Sequence, residues 1–357
     1  MRRIESEQMM MSRISTFFLL LICALRAEPI ELSLPTANRH LFTNEPEKFY
    51  MYVDRTFEGE TSQPWEGGSF GFVRSPIRVG DQTILSQFHE GIDIAPVNRD
   101  KAGNPLDLVM SIAKGTVAHV SPVSGRSNYG KYVVVEHAWE GSKVVSLYAH
   151  LAEITVKIGD PVKAGSVLGR MGYTGAGLNR TRAHVHLELG FTMSEHYEGW
   201  HRQNFGSANY HGNYNGMNIA GVDVAAFFLA HKTNPEISFS AFVSSRAMQF
   251  KVTVPGGARE PEFLKRYPWM RRAGVPAPVS WEVGFAPTGH AISFTPSIRP
   301  VTEPVVTHLR PGKIPQRWLT RGLLTGEGSG TTLSHSGRQM LSLVLDDFDT
   351  GDEALER

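Results

Sequence analysis

The stretch FHEGIDIAP, residues 88–96, sets an imidazole and a carboxylate four residues apart among small and apolar neighbours. In that spacing His89 and Asp93 are either a surface turn with a capping carboxylate or half of a metal site. Catalytic zinc takes three protein ligands and keeps one position open for water, so the pair needs a third ligand from elsewhere. AHVHLELGF, residues 183–191, offers one: residues two apart on a strand share a face, so His184 and His186 point into the same space, with Glu188 beside them. H-x-H alone is a weak signal, because 14 His in 357 residues produce one by chance in about every second such chain. It does not stand alone, since SLYAHL places His150 at the end of a strand-like run, with Tyr148 on the same face.

Strands must position these residues. Thr116–Val120, Lys131–His137 and Lys143–His150 are the clearest runs, and WEGSK between the last two is a hairpin turn. In VKIGDPVKAGSVLGRMG, residues 156–172, glycines mark tight turns between short strands. Residues 28–65 look irregular. Beyond Phe191 the run GWHRQNFGSANYHGNYNGMN reads as a polar, aromatic loop. Asp223 caps a short helix through Lys232, residues 236–254 offer two strand candidates, and Ser336 caps a last helix over residues 337–345.

The order H-x-x-x-D, Y-x-H-L, H-x-H, with IGDPVKAGSVLGRMGYTG before the last, resembles the lysostaphin-type zinc metallopeptidases, which cut peptide cross-links in bacterial cell walls. The resemblance covers residues 70 to about 191. It implies a mainly β fold: an antiparallel β-sheet peptidase domain with a metal-binding groove, here followed by a mixed β/α C-terminal extension. Carried over by position, it implies one zinc per chain held by His89, Asp93 and His186, with His150 and His184 as the non-ligand catalytic histidines. Two imidazoles and a carboxylate leave zinc one positive charge, enough to lower the pKa of a water to around 7 and to polarise a carbonyl. His150 or His184 would act as general base, and the pair would hydrogen-bond the oxyanion. Glu188 would orient a ligand imidazole.

The chain departs from the family pattern in GYTGAGLNRTRAH, residues 172–184, where Arg180 and Arg182 stand near the cleft. A guanidinium fork suits a peptide carboxylate, so both are candidate substrate contacts. Asn128, Tyr129 and Tyr132 fall where a groove wall is expected. His119 and His137 read as structural, and His201 and His211 as core or surface residues that could line the groove.

The remaining bounds are coarse. A net charge of +1 gives no electrostatic case for nucleic acid. Arg2, Arg3 and Arg13 precede an apolar run, residues 14–25, of signal-peptide length with Ala27 as a plausible last residue, so export to the periplasm or envelope is expected, without stable membrane insertion after cleavage. The single cysteine, Cys23, lies in that run, which leaves His and carboxylate as metal ligands. The segments are then a signal peptide over 1–27, an N-terminal segment over 28–69, of which residues 28–65 could cover the groove, a peptidase domain over 70–232 and an extension over 233–357. The expected partner is the peptide stem of peptidoglycan, with D-alanyl–diaminopimelate bridges favoured over pentaglycine. Two rivals remain: a non-catalytic wall-binding activator of other hydrolases, which would have no chemical need for all five positions, and a biotinyl-type carrier, for which Lys157 and Lys163 lack the attachment context.

Overall fold

The computed structural model describes residues 29–349, so the expected leader, Cys23 and the cleavage point after Ala27 lie outside the described residues. The main sheet runs Pro161–Val162, Gly115–Ser121, Tyr132–Trp139, Ser142–Ala149, Val185–Thr192, Ile219–Val222, with every pair antiparallel. Valines and other strand-favouring residues fill the inward positions of these strands. Between Trp139 and Ser142 the chain reverses through Glu140 and Gly141, both left-handed at φ 52° and 72°. That geometry closes a tight hairpin.

Val185–Thr192 is the central strand of the molecule. One side pairs along its length with Ser142–Ala149. The other side is shared: its first half pairs with Ile92–Ile94 and its second with Ile219–Val222. Alternation sends Val185, Leu187 and Leu189 into the main core and leaves His184, His186 and Glu188 on the opposite face. Before it, a hairpin of Gly71–Val79 and Gln82–His89 ends at His89.

Residues 29–69 pack into the fold. Leu34, Phe49 and Met51 are buried, the Met51 amide donates to the Asp93 carbonyl, and the Ala95 amide donates to the Phe49 carbonyl. The segment thus continues the edge beside Ile92–Ile94 and shares its core.

The C-terminal part is mixed β/α, as expected. Its four-stranded antiparallel sheet runs Ala291–Ser297, Ser280–Phe285, Phe250–Pro255, Val305–Leu309. Three local expectations fail. The aromatic run after Phe191 contains the helix Tyr197–Asn204, whose buried side carries Tyr197, Trp200 and His201. The first of the two expected strands over 236–254 is the helix Phe239–Ser244, capped by Ser238; only Phe250–Pro255 is a strand. The last helix is His335–Leu345, capped by Ser334 rather than Ser336. Asp223 does cap its helix, accepting from the Ala226 amide at 2.9 Å. Among the described residues no helix is long and apolar enough to cross a membrane.

No seam separates the two parts. One apolar cluster runs from Leu34 to Val344. At its joint Phe191, on the central strand, packs edge-on to Phe263 and against Tyr267, with centroids 6.0 and 5.1 Å apart. Truncating this fully buried ring removes contacts from both parts at once. Phe191→Ala is expected to cost about 3–5 kcal/mol. Urea unfolding should remain one transition, coincident by fluorescence and circular dichroism; two separated transitions would mean that the parts fold independently.

Candidate metal and catalytic site

Register builds the site. His186 lies directly opposite Asp93 on one side and Ala149 on the other. One residue past Ala149 is His150. By simple alternation it would share the face of Tyr148, but His150 is left-handed at φ 63°, and that single twist turns it across the sheet. Tyr148 stays in the main core, where its hydroxyl accepts from the Ile112 amide at 2.8 Å. The expected common face of Tyr148 and His150 is therefore corrected: His150 packs edge-on to His184, with centroids 4.8 Å apart. Gly91 lets the HEGID turn lie on the central strand, since a Cβ there would sit 2.3 Å from the Leu187 carbonyl oxygen.

His89, Asp93 and His186 are all buried, and one ligand atom from each lies within 4.8 Å of the others. The Asp93 Oδ1 atom is 2.9 Å from His186 Nδ1, 3.2 Å from His89 Nε2 and 3.3 Å from His184 Nε2. His89 Nε2 and His186 Nδ1 face each other at 3.1 Å.

The outer ring nitrogens settle which atoms carry protons. A carbonyl oxygen only accepts, so a ring nitrogen against one must donate. His89 Nδ1 donates to Ser69 O at 2.8 Å, His150 Nδ1 to Thr174 O at 2.9 Å and His184 Nδ1 to Arg182 O at 2.7 Å. His186 Nε2 donates to Glu188 Oε1 at 2.9 Å. In its neutral form each ring would present its other nitrogen inward as a lone pair. Lone pairs and a carboxylate oxygen converging at about 3 Å call for a cation, and a nitrogen–oxygen set of this kind suits zinc. The residues therefore fit a metal ion.

Proton affinities agree with a site that wants positive charge. Burial favours neutral Asp93, but the nearby His184 and His89 outweigh it and hold the carboxyl well below its usual range. Burial lowers His89, and burial together with His184 and His186 holds His150 well below 6.5. Burial also works against a charged His186, yet its hydrogen bonds to Asp93 and Glu188 prevail and raise it to about 9. Without metal, His186 is thus an imidazolium between two carboxylates.

One supporting group, Arg74, carries no sequence signal. Arg74, on Gly71–Val79, donates through Nη2 to Asp93 Oδ2 at 2.5 Å and through Nε to Gly67 O at 2.8 Å. It fixes the carboxylate so that Oδ1 faces inward. Glu188 is buried and holds His186, the place proposed for it from the strand face. The Tyr129 hydroxyl donates to Glu188 Oε1 at 2.5 Å and so supports His186, while its half-buried ring lines a cleft beside the site. Asn128 is exposed. Arg180 and Arg182 do not reach inward: Arg180 Nη1 donates to Ala102 O at 2.6 Å and Arg182 Nε to Tyr52 O at 3.3 Å. His137 is buried between Lys114 O and Ser146 Oγ.

Residues 87–197 match the family described as Peptidase family M23. This segment is a peptidase M23 domain. Over 122 residues the chain is 30% identical to the lipoprotein NlpD/LppB homologue of Pseudomonas aeruginosa, covering 34% of this chain and 36% of that one. Over 116 residues it is 31% identical to an uncharacterised metalloprotease of Buchnera aphidicola, covering 32% and 26%. The chain spans no more than 36% of the length of the curated relatives it matches. Among solved structures it is similar to the catalytic domain of lysostaphin from Staphylococcus simulans, at 22% identity over 50% of this chain and 92% of that one, with a TM-score of 0.27. It is also similar to a zinc-containing peptidase from Vibrio cholerae, at 26% identity over 40% and 36%, with a TM-score of 0.24.

The raised value of His186 in the M23 domain has a consequence for stability. Its folded value lies above the unfolded 6.5, so its contribution is fully present below pH 6.5 and is lost as pH rises through about 9. Metal-stripped protein should show a falling urea midpoint across that window. In His186→Asn the fall should disappear. Equal slopes in both proteins would show that His186 is not the proton holder.

Proposed function

We propose that this chain is a zinc metalloendopeptidase that hydrolyses peptide cross-links of bacterial peptidoglycan, with D,D-bridges favoured, in the periplasm or cell envelope. The observation that carries the reading is the convergence of His89, Asp93 and His186 beside two further histidines, His150 and His184, each anchored through Nδ1 on a backbone carbonyl. The basic and then apolar start of the chain, and a lipoprotein among its relatives, support export.

His89 Nε2, Asp93 Oδ1 and His186 Nδ1 would hold the metal. When bound, zinc supplies a water of lowered pKa and a Lewis acid for the scissile carbonyl. The remaining chemistry belongs to side chains. His150 is neutral at neutral pH because its surroundings disfavour charge, and its Nε2 is free to take a proton. Its Nδ1–H, held on Thr174 O, prevents the ring from flipping as the proton arrives. His184 sits 4.8 Å from His150 by ring centroid and is anchored through Nδ1 on Arg182 O. It is placed to steady the same proton transfer or the oxyanion formed beside it. Arg74 and Glu188 hold the ligand side chains and thereby spare them reorganisation on binding.

The test is digestion of purified cross-linked peptidoglycan, read as soluble products by mass spectrometry with zinc and with a chelator. Cross-linked dimers should give way to monomers only when zinc is present. His150→Ala and His184→Ala should each keep zinc and lose at least 100-fold in rate, the scale of a positioned acid or base. Full zinc occupancy without product would remove the peptidase reading and leave a wall-binding activator as the function.

A further inference from the structure

Arg126 is left with unused donors beside the active face. It belongs to the short turn Ser124–Arg126, between two strands of the main sheet. Its guanidinium lies 4.9 Å over the ring of Tyr210, which is 56% exposed. Among the described residues, no carbonyl or carboxylate takes a hydrogen bond from that guanidinium. Arg99, Arg180 and Arg182, by contrast, each donate to backbone carbonyls.

Arg126 and Tyr210 stand at the edge of a cleft of about 200 Å³ whose walls include Tyr129, Tyr132, His201 and His211. None of its lining residues is acidic. The loop that closes it, residues 205–218, lies beyond the M23 match at 87–197. Its position is held from behind. His211 Nδ1 accepts from the Tyr132 hydroxyl at 2.7 Å, so its Nε2 carries the proton and donates to Arg126 O at 3.4 Å. The loop and the Arg126 turn are thereby tied together. Gly216 seats against the Tyr129 hydroxyl, where a Cβ would come within 2.3 Å.

The cleft is close to the chemistry. Rings lead from His186 to Tyr129, Tyr132 and His211 in steps of 5.7, 5.3 and 5.5 Å. An extended peptide rises about 3.3 Å per residue, so it would cross that distance in about five residues or fewer.

We propose that this cleft is a subsite for a carboxylate of the bound peptide, with Arg126 as its bidentate partner and Tyr210 as the platform that holds the guanidinium flat. A stacked guanidinium keeps its edge donors free, and a carboxylate is the group that fills two of them at once. The inference deepens the peptidase reading and rests on it. It also moves anion recognition from Arg180 and Arg182 to Arg126.

Binding without turnover separates the two ideas. The full chain, loaded with zinc, is titrated calorimetrically with an acetylated alanine–glutamate–lysine–alanine tetrapeptide bearing free carboxylates, and with the same peptide fully amidated. Wild type should bind the free form about tenfold more tightly. Arg126→Gln should erase that preference by weakening the free form alone, Arg126→Lys should keep part of it, and the exposed Arg202→Gln should keep all of it. Unchanged melting temperatures would confirm folding. Equal binding of both peptides, binding of neither, or an undiminished preference in Arg126→Gln would overturn the subsite. A clear preference in a protein that cleaves no wall peptide would leave the subsite standing and remove the peptidase reading.

Discussion

Four imidazoles can turn lone pairs into one buried space only if their outer N–H groups are held elsewhere. Ser69, Thr174 and Arg182 supply carbonyls for this and Glu188 a carboxylate. These acceptors come from separate stretches of chain, so the site exists only when the hairpin before His89, the turn at Thr174 and the central strand are all in place. The same arrangement explains the charge balance. Asp93 is buried yet ionised, and in the absence of metal a proton on His186 takes the cation's role. Metal entry then displaces a proton, a usual coupling where ligands are ionisable.

The strand register turns this requirement into geometry. His186 opposite Asp93 is a fixed cross-strand pair, and a slip of one residue would exchange the histidine face for the core face. The core that enforces it is larger than the M23 match. Residues 29–69 pair beside Asp93, and the C-terminal part packs on Phe191, farther along the strand that carries His186. Arg321, from the C-terminal part, reaches the residues on either side of His89. It pairs with Glu90 at 2.5 Å and lies 4.8 Å over the ring of Phe88, so it grips both neighbours of His89.

Much of the site is legible in the sequence because it is written in local pattern. H-x-x-x-D, the alternation of AHVHLELGF and the strand leading to His150 all survive in the structure, and Glu188 meets His186 as its shared face implies. The illegible part is nonlocal or conformational. The left-handed twist at His150 cannot be read from residue type, so parity wrongly groups it with Tyr148. Arg74 reaches Asp93 across 19 residues through a hairpin fold. Arg180 and Arg182 look available because sequence does not show that Ala102 O and Tyr52 O already hold them. The helix Tyr197–Asn204 is hidden by its polar composition, since the apolar side chains on its buried side are only Tyr197 and Trp200, and the Trp200 indole docks on the last helix.

The most direct measurement is calorimetric titration of zinc into metal-stripped protein, beside Asp93→Asn. The wild-type chain should take one zinc with release of about one proton, seen as a binding enthalpy that changes with the ionisation heat of the buffer. Asp93→Asn should lose at least tenfold in affinity. No saturable site, or equal affinity in both proteins, would contradict a metal centre built on these residues.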